Sequence, residues 1–251
     1  MQWRDEGFVI GVRRHGESSA LLEVMTRAHG RHLGLVRGGA GRAIRAALQS
    51  GNDVDALWRA RLDDQLGTFV VEPLHARAAS LIDHSHALHG VGHLCALLRL
   101  LPERDPHPEI FEMARAIAEV LVIKERAPAL LAHFEIALLG ALGFGLDLDA
   151  CALTGARDDL AYVSPKSGRA VSREAGAPWQ AKLLAFPAFL RAGASAPSPS
   201  GEELAEAFRL TGHFLRRDVL EPRGAPMPHA RELYLKAVTA QASRLAEAMR
   251  G

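Results

Sequence analysis

Residues 25–52, MTRAHGRHLGLVRGGAGRAIRAALQSGN, hold five arginines and two histidines and no acid. The whole chain is nearly neutral, with 30 Lys and Arg against 29 Asp and Glu. Clustered positive charge is the electrostatic footprint of a polyanion site, and RGGAGR adds glycine backbone that can come close to phosphates. Arg27, Arg31, Arg37, Arg42 and Arg45 are the candidate contacts, with Arg13 and Arg14 as additions. The competing reading is a solvated loop in an arginine-biased chain, which has only four lysines (Lys124, Lys166, Lys182, Lys236). No Phe, Tyr or Trp lies between Phe8 and Trp58, so this face has no aromatic stacking platform of its own. Binding would rest on phosphates, weaken with salt and leave base edges free to pair.

Other clusters are weaker. Lys166, Arg169 and Arg173 form a second basic patch with no acid between Asp159 and Glu174, either a secondary DNA contact or a solvated hairpin. His86, His89 and His93 would share one face of a helix and could hold zinc, but no carboxylate accompanies them and that face is expected in solvent. His84 is expected on the apolar side. Asp147, Asp149 and Cys151 in GLDLDAC are a metal or nucleophile candidate, against ordinary turn chemistry. No GxSxG, P-loop, HExxH or dinucleotide fingerprint is present, and the expectation is a protein that is not an enzyme. The rivals are a metal-dependent enzyme built on the histidines or the Asp147–Cys151 loop, and a scaffold that binds only protein.

The elements that must carry these residues change character along the chain. GFVIGVRR, SALLEVMT, RHLGLVRG, DVDALWRARL and GTFVVEPL alternate as five short strands, with GRAIRAALQ as a helix between the third and fourth. That count and helix position predict an OB-fold barrel, with an SH3-like barrel as the alternative. Strands two and three of an OB fold are where a single strand usually lies. Beyond Pro73 the period becomes helical. Leu74, Leu81, Leu88 and Cys95, with Ala78, Val91 and Leu98, predict one apolar stripe ending before Pro102. Helices are expected near 109–126, 128–142, 201–218 and 228–249. LAYVSPKSGRAVSR reads as a hairpin and GASAPSPSG as a flexible connection. Two cysteines, no signal-peptide pattern and no membrane-length apolar run point to a cytoplasmic location.

Three segments resemble the RecO family of bacterial recombination mediators. They are GFVIGVRRHGESSALLEVMTRAHGRHLGLVRGGAGRAIRAALQ, FEIALLGALGFGLDLDAC and HARELYLKAV. The resemblance implies an α+β multidomain protein: an OB-fold nucleic-acid-binding domain over 1–78, then a helical domain over 79–251. A zinc-ribbon-like insertion is implied at 147–178. It further implies binding of single- and double-stranded DNA and annealing of complementary strands. Partners would be RecR, the C-terminal tail of single-strand-binding protein and, indirectly, RecA, with nucleoid association during repair. Zinc-bearing members carry two C-x-x-C pairs. Here Cys151 is the only retained candidate ligand, because Thr154, Ser172 and Ala175 occupy the other positions, so the insertion is expected to be metal-free. Leu160, Tyr162, Val163 and Val171 are expected to hold it by packing.

Overall fold

Strict apolar alternation between glycine turns sets up the N-terminal part of the chain. In the computed structural model, which describes residues 1–62, 64–191 and 198–248, five strands close into a barrel in the order β1-β2-β3-β5-β4. They are β1 (Gln2–His15), β2 (Ser19–Thr26), β3 (Gly30–Val36), β4 (Asp53–Arg59) and β5 (Thr68–His75). Helix α1 (Arg42–Ala47) stands between β3 and β4, so the barrel has the OB-fold arrangement.

β1 is long because it serves both halves of the barrel. Its first half pairs with β4, from Gln2↔Arg59 to Phe8↔Asp53. Its second half pairs with β2, as far as His15↔Ser19. A register shift between Val9 and Gly11 bends it from one partner to the other. β3 and β5 close the barrel in parallel through only Leu35↔Thr68 and Val36↔Phe69. Val9, Leu22, Val24, Val54, Trp58 and Phe69 fill the interior, joined by Leu48 at the end of α1. Truncating a buried aromatic of this kind costs about 3–5 kcal/mol.

The chain separates into two compact units, Met1–Val122 and Ile123–Gly251. The first contains the barrel together with α2 (Ala78–Ile82), α3 (Ser85–Leu98) and α4 (Pro108–Val120). The single apolar stripe expected from Leu74 through Leu98 is interrupted. β5 continues to His75, and the chain breaks at Asp83 and His84 before α3 begins. The break resets the helical phase. Leu74 and Leu88 are consequently exposed, while Ala87, Gly90, Val91, Leu94, Leu97 and Leu98 turn inward.

The second unit contains α5 (Ala127–Ala141), a small sheet ordered β7-β6-β8, a short α6 (Arg173–Gly176), α7 (Gly201–Phe214) and α8 (His229–Ala248). The strands are β6 (Leu160–Val163), β7 (Ala170–Ser172) and β8 (Leu184–Ala185). β6 and β7 form the expected hairpin, and β8 adds a third strand not visible in the sequence pattern. Ser200 caps α7 by accepting from the Glu203 amide at 3.2 Å while the Glu203 carboxylate accepts from the Ser200 amide at 2.9 Å. Most of the GASAPSPSG connection lies outside the described residues. No helix among the described residues is long and apolar enough to cross a membrane.

Candidate nucleic-acid interface

The arginine-rich stretch does not form one surface. β2 and β3 pair from Ala20↔Val36 to Thr26↔Gly30. Arg27, in the turn, therefore lies about 20 Å along the hairpin from Arg37, just past the other end. Arg27 is ion-paired with Glu112.

Arg31 must be removed from the open set. Its side chain is only 15% exposed and bonds to Glu23 at 2.7 Å and to the Leu101 carbonyl at 3.0 Å. Glu23 also accepts from Arg99 at 2.7 Å, and the Arg104 amide donates to the Arg31 carbonyl at 2.8 Å. The outer face of β2 and β3, where a strand was expected to run, thus meets the end of α3 and the segment after it. Val12, Leu21 and Leu33 face Leu81 and Leu88 across a groove of about 660 Å³. A cation clamped between a carboxylate and a carbonyl is part of the structure, not a free phosphate contact.

The other arginines do gather. The Ala40 amide donates to the Ser18 carbonyl at 3.1 Å, which pins the Gly-rich loop onto the β1–β2 turn. Gly38 has φ of +68°, a left-handed conformation natural to glycine, and a Cβ on Gly39 would come within 2.7 Å of the Ala20 methyl. The glycines therefore let this loop fold flat against β2. Through Ala20, Arg14 at the end of β1 stands two strands from Val36, next to Arg37, with Arg42 and Arg45 on α1 after the loop, while Arg13 lines the groove on the outer face of β2 and β3. All five arginines are exposed. Arg14 bonds to the Gly16 and Glu17 carbonyls. Arg13, Arg37, Arg42 and Arg45 have no side-chain partner among the described residues. Elsewhere in this unit, Arg4, Arg77, Arg99 and Arg115 are each paired with acids. This end therefore carries several open guanidiniums against one exposed carboxylate, Glu17.

One residue missed in the sequence belongs to the same region. Arg37, Ile44, Arg59 and Val70 line a groove of about 430 Å³ along the β3–β5 junction. Arg59 sits opposite Thr68, which itself pairs with Leu35. Only barrel closure brings Arg59 near Arg37, so no local pattern announced it. An aromatic group also appears that the strand pattern did not suggest. Trp3 stacks on His29 with centroids 4.1 Å apart and on Trp58 at 5.7 Å, with His32 at its edge. Burial holds the His32 imidazole below its ordinary pKa, so it is neutral at pH 7.

The histidine expectation is inverted. His86 and His93 are buried and His84 is exposed at the start of α3, because the break at Asp83 rotates α3 relative to the assumed stripe. The His86 imidazole lies 3.3 Å from the Val122 carbonyl. Among the described residues, no three His, Cys, Asp or Glu side chains come together in a way that could hold a metal.

In the second unit, Arg169 bonds to Asp147 at 3.1 Å and Arg173 to Asp159 at 3.1 Å. Of that basic patch only Lys166 has no side-chain partner among the described residues. Asp149 is exposed apart from them. Cys151, 2% exposed, accepts from the Ser172 amide at 3.2 Å and stands 3.4 Å from its hydroxyl. The two places where paired ligands would lie are therefore in contact. Their residues do not fit a tetrahedral metal, since one thiolate, two hydroxyls and an alanine replace four ligands. Leu160, Val163 and Val171 are buried, and Tyr162 is half-buried, packed beside Gly176.

Burial alone would raise the Cys151 thiol. Donors from Ser172, Thr154 and the Leu153 backbone more than offset it and bring its pKa down to about 6. Burial pushes Cys95 up to about 12. A thiolate-absorbance titration should then show one cysteine ionising near pH 6, and Ser172→Ala should move that midpoint upward. A midpoint unchanged by the substitution overturns the assignment. Because the folded value is depressed from 9, this thiolate's stabilisation is complete above pH 9 and is lost as pH falls through about 6.

These features define a class: a closed OB barrel with a cationic end, followed by a helical unit that carries a small three-stranded insertion. Comparison with known proteins gives the particular family. Residues 1–77 match the family model for the recombination protein O N terminal and residues 85–226 that for the recombination protein O C terminal. The DNA repair protein RecO of Methylocella silvestris is 57% identical over 94% of this chain and 95% of its own. That of Bradyrhizobium diazoefficiens is 56% identical over 98% of both chains, and that of Chelativorans sp. 58% over 95% and 96%. The chain belongs to the RecO family of DNA repair proteins.

Proposed function

We propose that this protein is a non-enzymatic recombination mediator. It binds single- and double-stranded DNA through phosphates, anneals complementary strands, and with RecR helps load RecA onto DNA coated by single-strand-binding protein. The observation that carries this reading is the set of exposed guanidiniums without a side-chain partner among the described residues, Arg13 on β1, Arg37 on the Gly-rich loop and Arg42 and Arg45 on α1. Arg14 adds to it. Arg27 can join only by leaving Glu112. Phosphate gripping screens the charge of two strands while leaving their bases exposed, which is what annealing needs.

In this reading the barrel over 1–78 is the DNA-binding domain, and the helical part over 79–251, with its metal-free insertion at 147–178, serves partners. A groove of about 470 Å³ between α7 and α8 suits the acidic tail of single-strand-binding protein, because Phe208 and Leu235 lie in it beside Arg209 and Arg216. Lys166 is a secondary DNA contact. The protein acts in the cytoplasm, at the nucleoid during repair.

Fluorescence anisotropy with a labelled oligonucleotide over a salt series tests the reading. Wild type should bind, and more weakly as salt rises. Arg37→Ala/Arg42→Ala should flatten the slope of log affinity against log salt by about 1.4, roughly 0.7 for each lost phosphate contact. Absence of salt-dependent binding by wild type at low salt would sink the mediator reading.

A further inference from the structure

We infer that the groove along the β3–β5 junction carries a single nucleic-acid strand, and that Arg59 grips a phosphate there across from Arg37. The inference rests on the phosphate-binding reading and adds a path and a strand form to it.

The obvious alternative path is partly occupied. The outer face of β2 and β3 is crossed by the Glu23–Arg31–Arg99 ion pairs and by the backbone contacts of Leu101 and Arg104. A strand on this face would have the groove of about 660 Å³ beside Arg13, but Glu23, Arg31 and Arg99 spend their charge on one another at its wall. The other way out from Arg42 and Arg45 passes Arg37 and enters the junction groove. β5 separates β3 from β4 there, so Arg59 and Leu35 stand two strand spacings apart, about 10 Å, on either side of Thr68.

The groove has the chemistry for such a strand. Arg37 and Arg59 are both exposed, with no side-chain partner among the described residues. No acid lines the groove. Glu72, two residues further along β5 from Val70, lies 3.7 Å from Arg4, which also pairs with Asp55, so these two carboxylates already have a cation. Between the arginines are Ile44, half-buried, and Val70, 55% exposed in the middle of a strand. An isolated exposed valine needs no explanation. Here, flanked by two open guanidiniums, it offers a sugar or base an apolar surface where phosphates are held. A duplex keeps its bases stacked inside, so only a single strand can lay a base on this apolar surface.

The test uses the full-length protein and two probes, a labelled oligothymidylate and a labelled hairpin duplex, each over a salt series. The variants are Arg59→Ala, Val70→Glu and Arg37→Ala/Arg42→Ala. Because Arg59 and Val70 are exposed, their variants should unfold at the wild-type temperature. Arg59→Ala should weaken oligothymidylate binding by roughly three- to tenfold near physiological salt and flatten the salt slope by about 0.7. Val70→Glu should lower affinity for the same probe, while both leave duplex affinity within about twofold, well under one phosphate contact. If Arg59→Ala and Val70→Glu leave oligothymidylate binding unchanged while Arg37→Ala/Arg42→Ala weakens it, the strand does not cross the junction and the loop reading stands alone. Equal losses on both probes overturn the single-strand groove. Wild type that binds neither probe removes this inference and the reading beneath it together.

Discussion

Asp53→Ala should destabilise the first unit by about 3–5 kcal/mol, making it one of the most damaging single substitutions in the chain. Asp53 is 1% exposed at the start of β4. Its carboxylate accepts from Arg77 at 2.7 Å and lies 3.0 Å from Arg115. Arg77 is itself buried and reaches Glu119 at 2.7 Å and the Gly51 carbonyl at 3.3 Å. Removing the acid takes from Arg77 and Arg115 the one counter-charge that is fully buried, and leaves the buried Arg77 with the half-exposed Glu119 alone. Urea unfolding followed by fluorescence of buried Trp58 reads the effect, and a loss below 1 kcal/mol would refute it. Arg77 holds the Glu119 carboxyl below its ordinary 4.5, even though partial burial opposes this. Its contribution is therefore present at neutral pH and lost as pH falls through the lowered value. Glu119→Gln should be less stable than wild type at pH 7, and the two should converge in acid.

Arg231→Ala should cost the second unit a similar amount, about 3–5 kcal/mol. Glu135, in the middle of α5, is fully buried. Arg231 of α8 donates to its two oxygens at 2.8 and 3.0 Å and to the Phe208 carbonyl at 2.7 Å, and the Thr211 hydroxyl also donates to Glu135. The guanidinium lies over the Phe208 ring, 5.5 Å from its centroid. One network thus fastens α5, α7 and α8. Without Arg231 the carboxylate remains in the core beside the Thr211 hydroxyl, without its cation. Arg231→Met/Glu135→Leu, which removes both charges, should recover much of the loss. Circular dichroism through urea unfolding measures both variants. A double variant no better than Arg231→Ala would show that packing around Arg231, and not the stranded charge, sets the cost.

How much of this was legible in the sequence depended on whether the deciding contact was local. The five strands and α1 were, because Phe8 and Ile10, or Leu22 and Val24, alternate over a few residues between glycine turns. The β6–β7 hairpin was too, and β8 was not, since a two-residue strand has no period. The histidines were misplaced for a specific reason. Leu81 and Leu88 stand seven apart, as they would on one helix, and the break at Asp83 lies between them. Arg31 and Arg37 looked equivalent because what separates them, Arg99 and the Leu101 carbonyl, is seventy residues away. Separations of 24 and 42 residues likewise hid the acids that pair with Arg77, and one of 96 hid the acid that pairs with Arg231. Arg59 was passed over because its relation to Arg37 exists only once β5 lies between their strands. Family resemblance supplied the placement of Ser172 against Cys151, which no spacing rule would have given.

The ties of Asp53 bear on how the chain folds as it is made. The matched N-terminal segment ends at residue 77, yet the cations and carboxylate that complete the Asp53 cluster include Arg115 and Glu119, both on α4. A barrel newly emerged from the ribosome would have to bury Asp53 before α4 existed. Pairings such as Gln2↔Arg59 already join distant parts of the chain, which slows closure. Barrel closure and the arrival of α4 should therefore be coupled, so that a fragment ending near residue 122 folds where one ending at residue 77 does not.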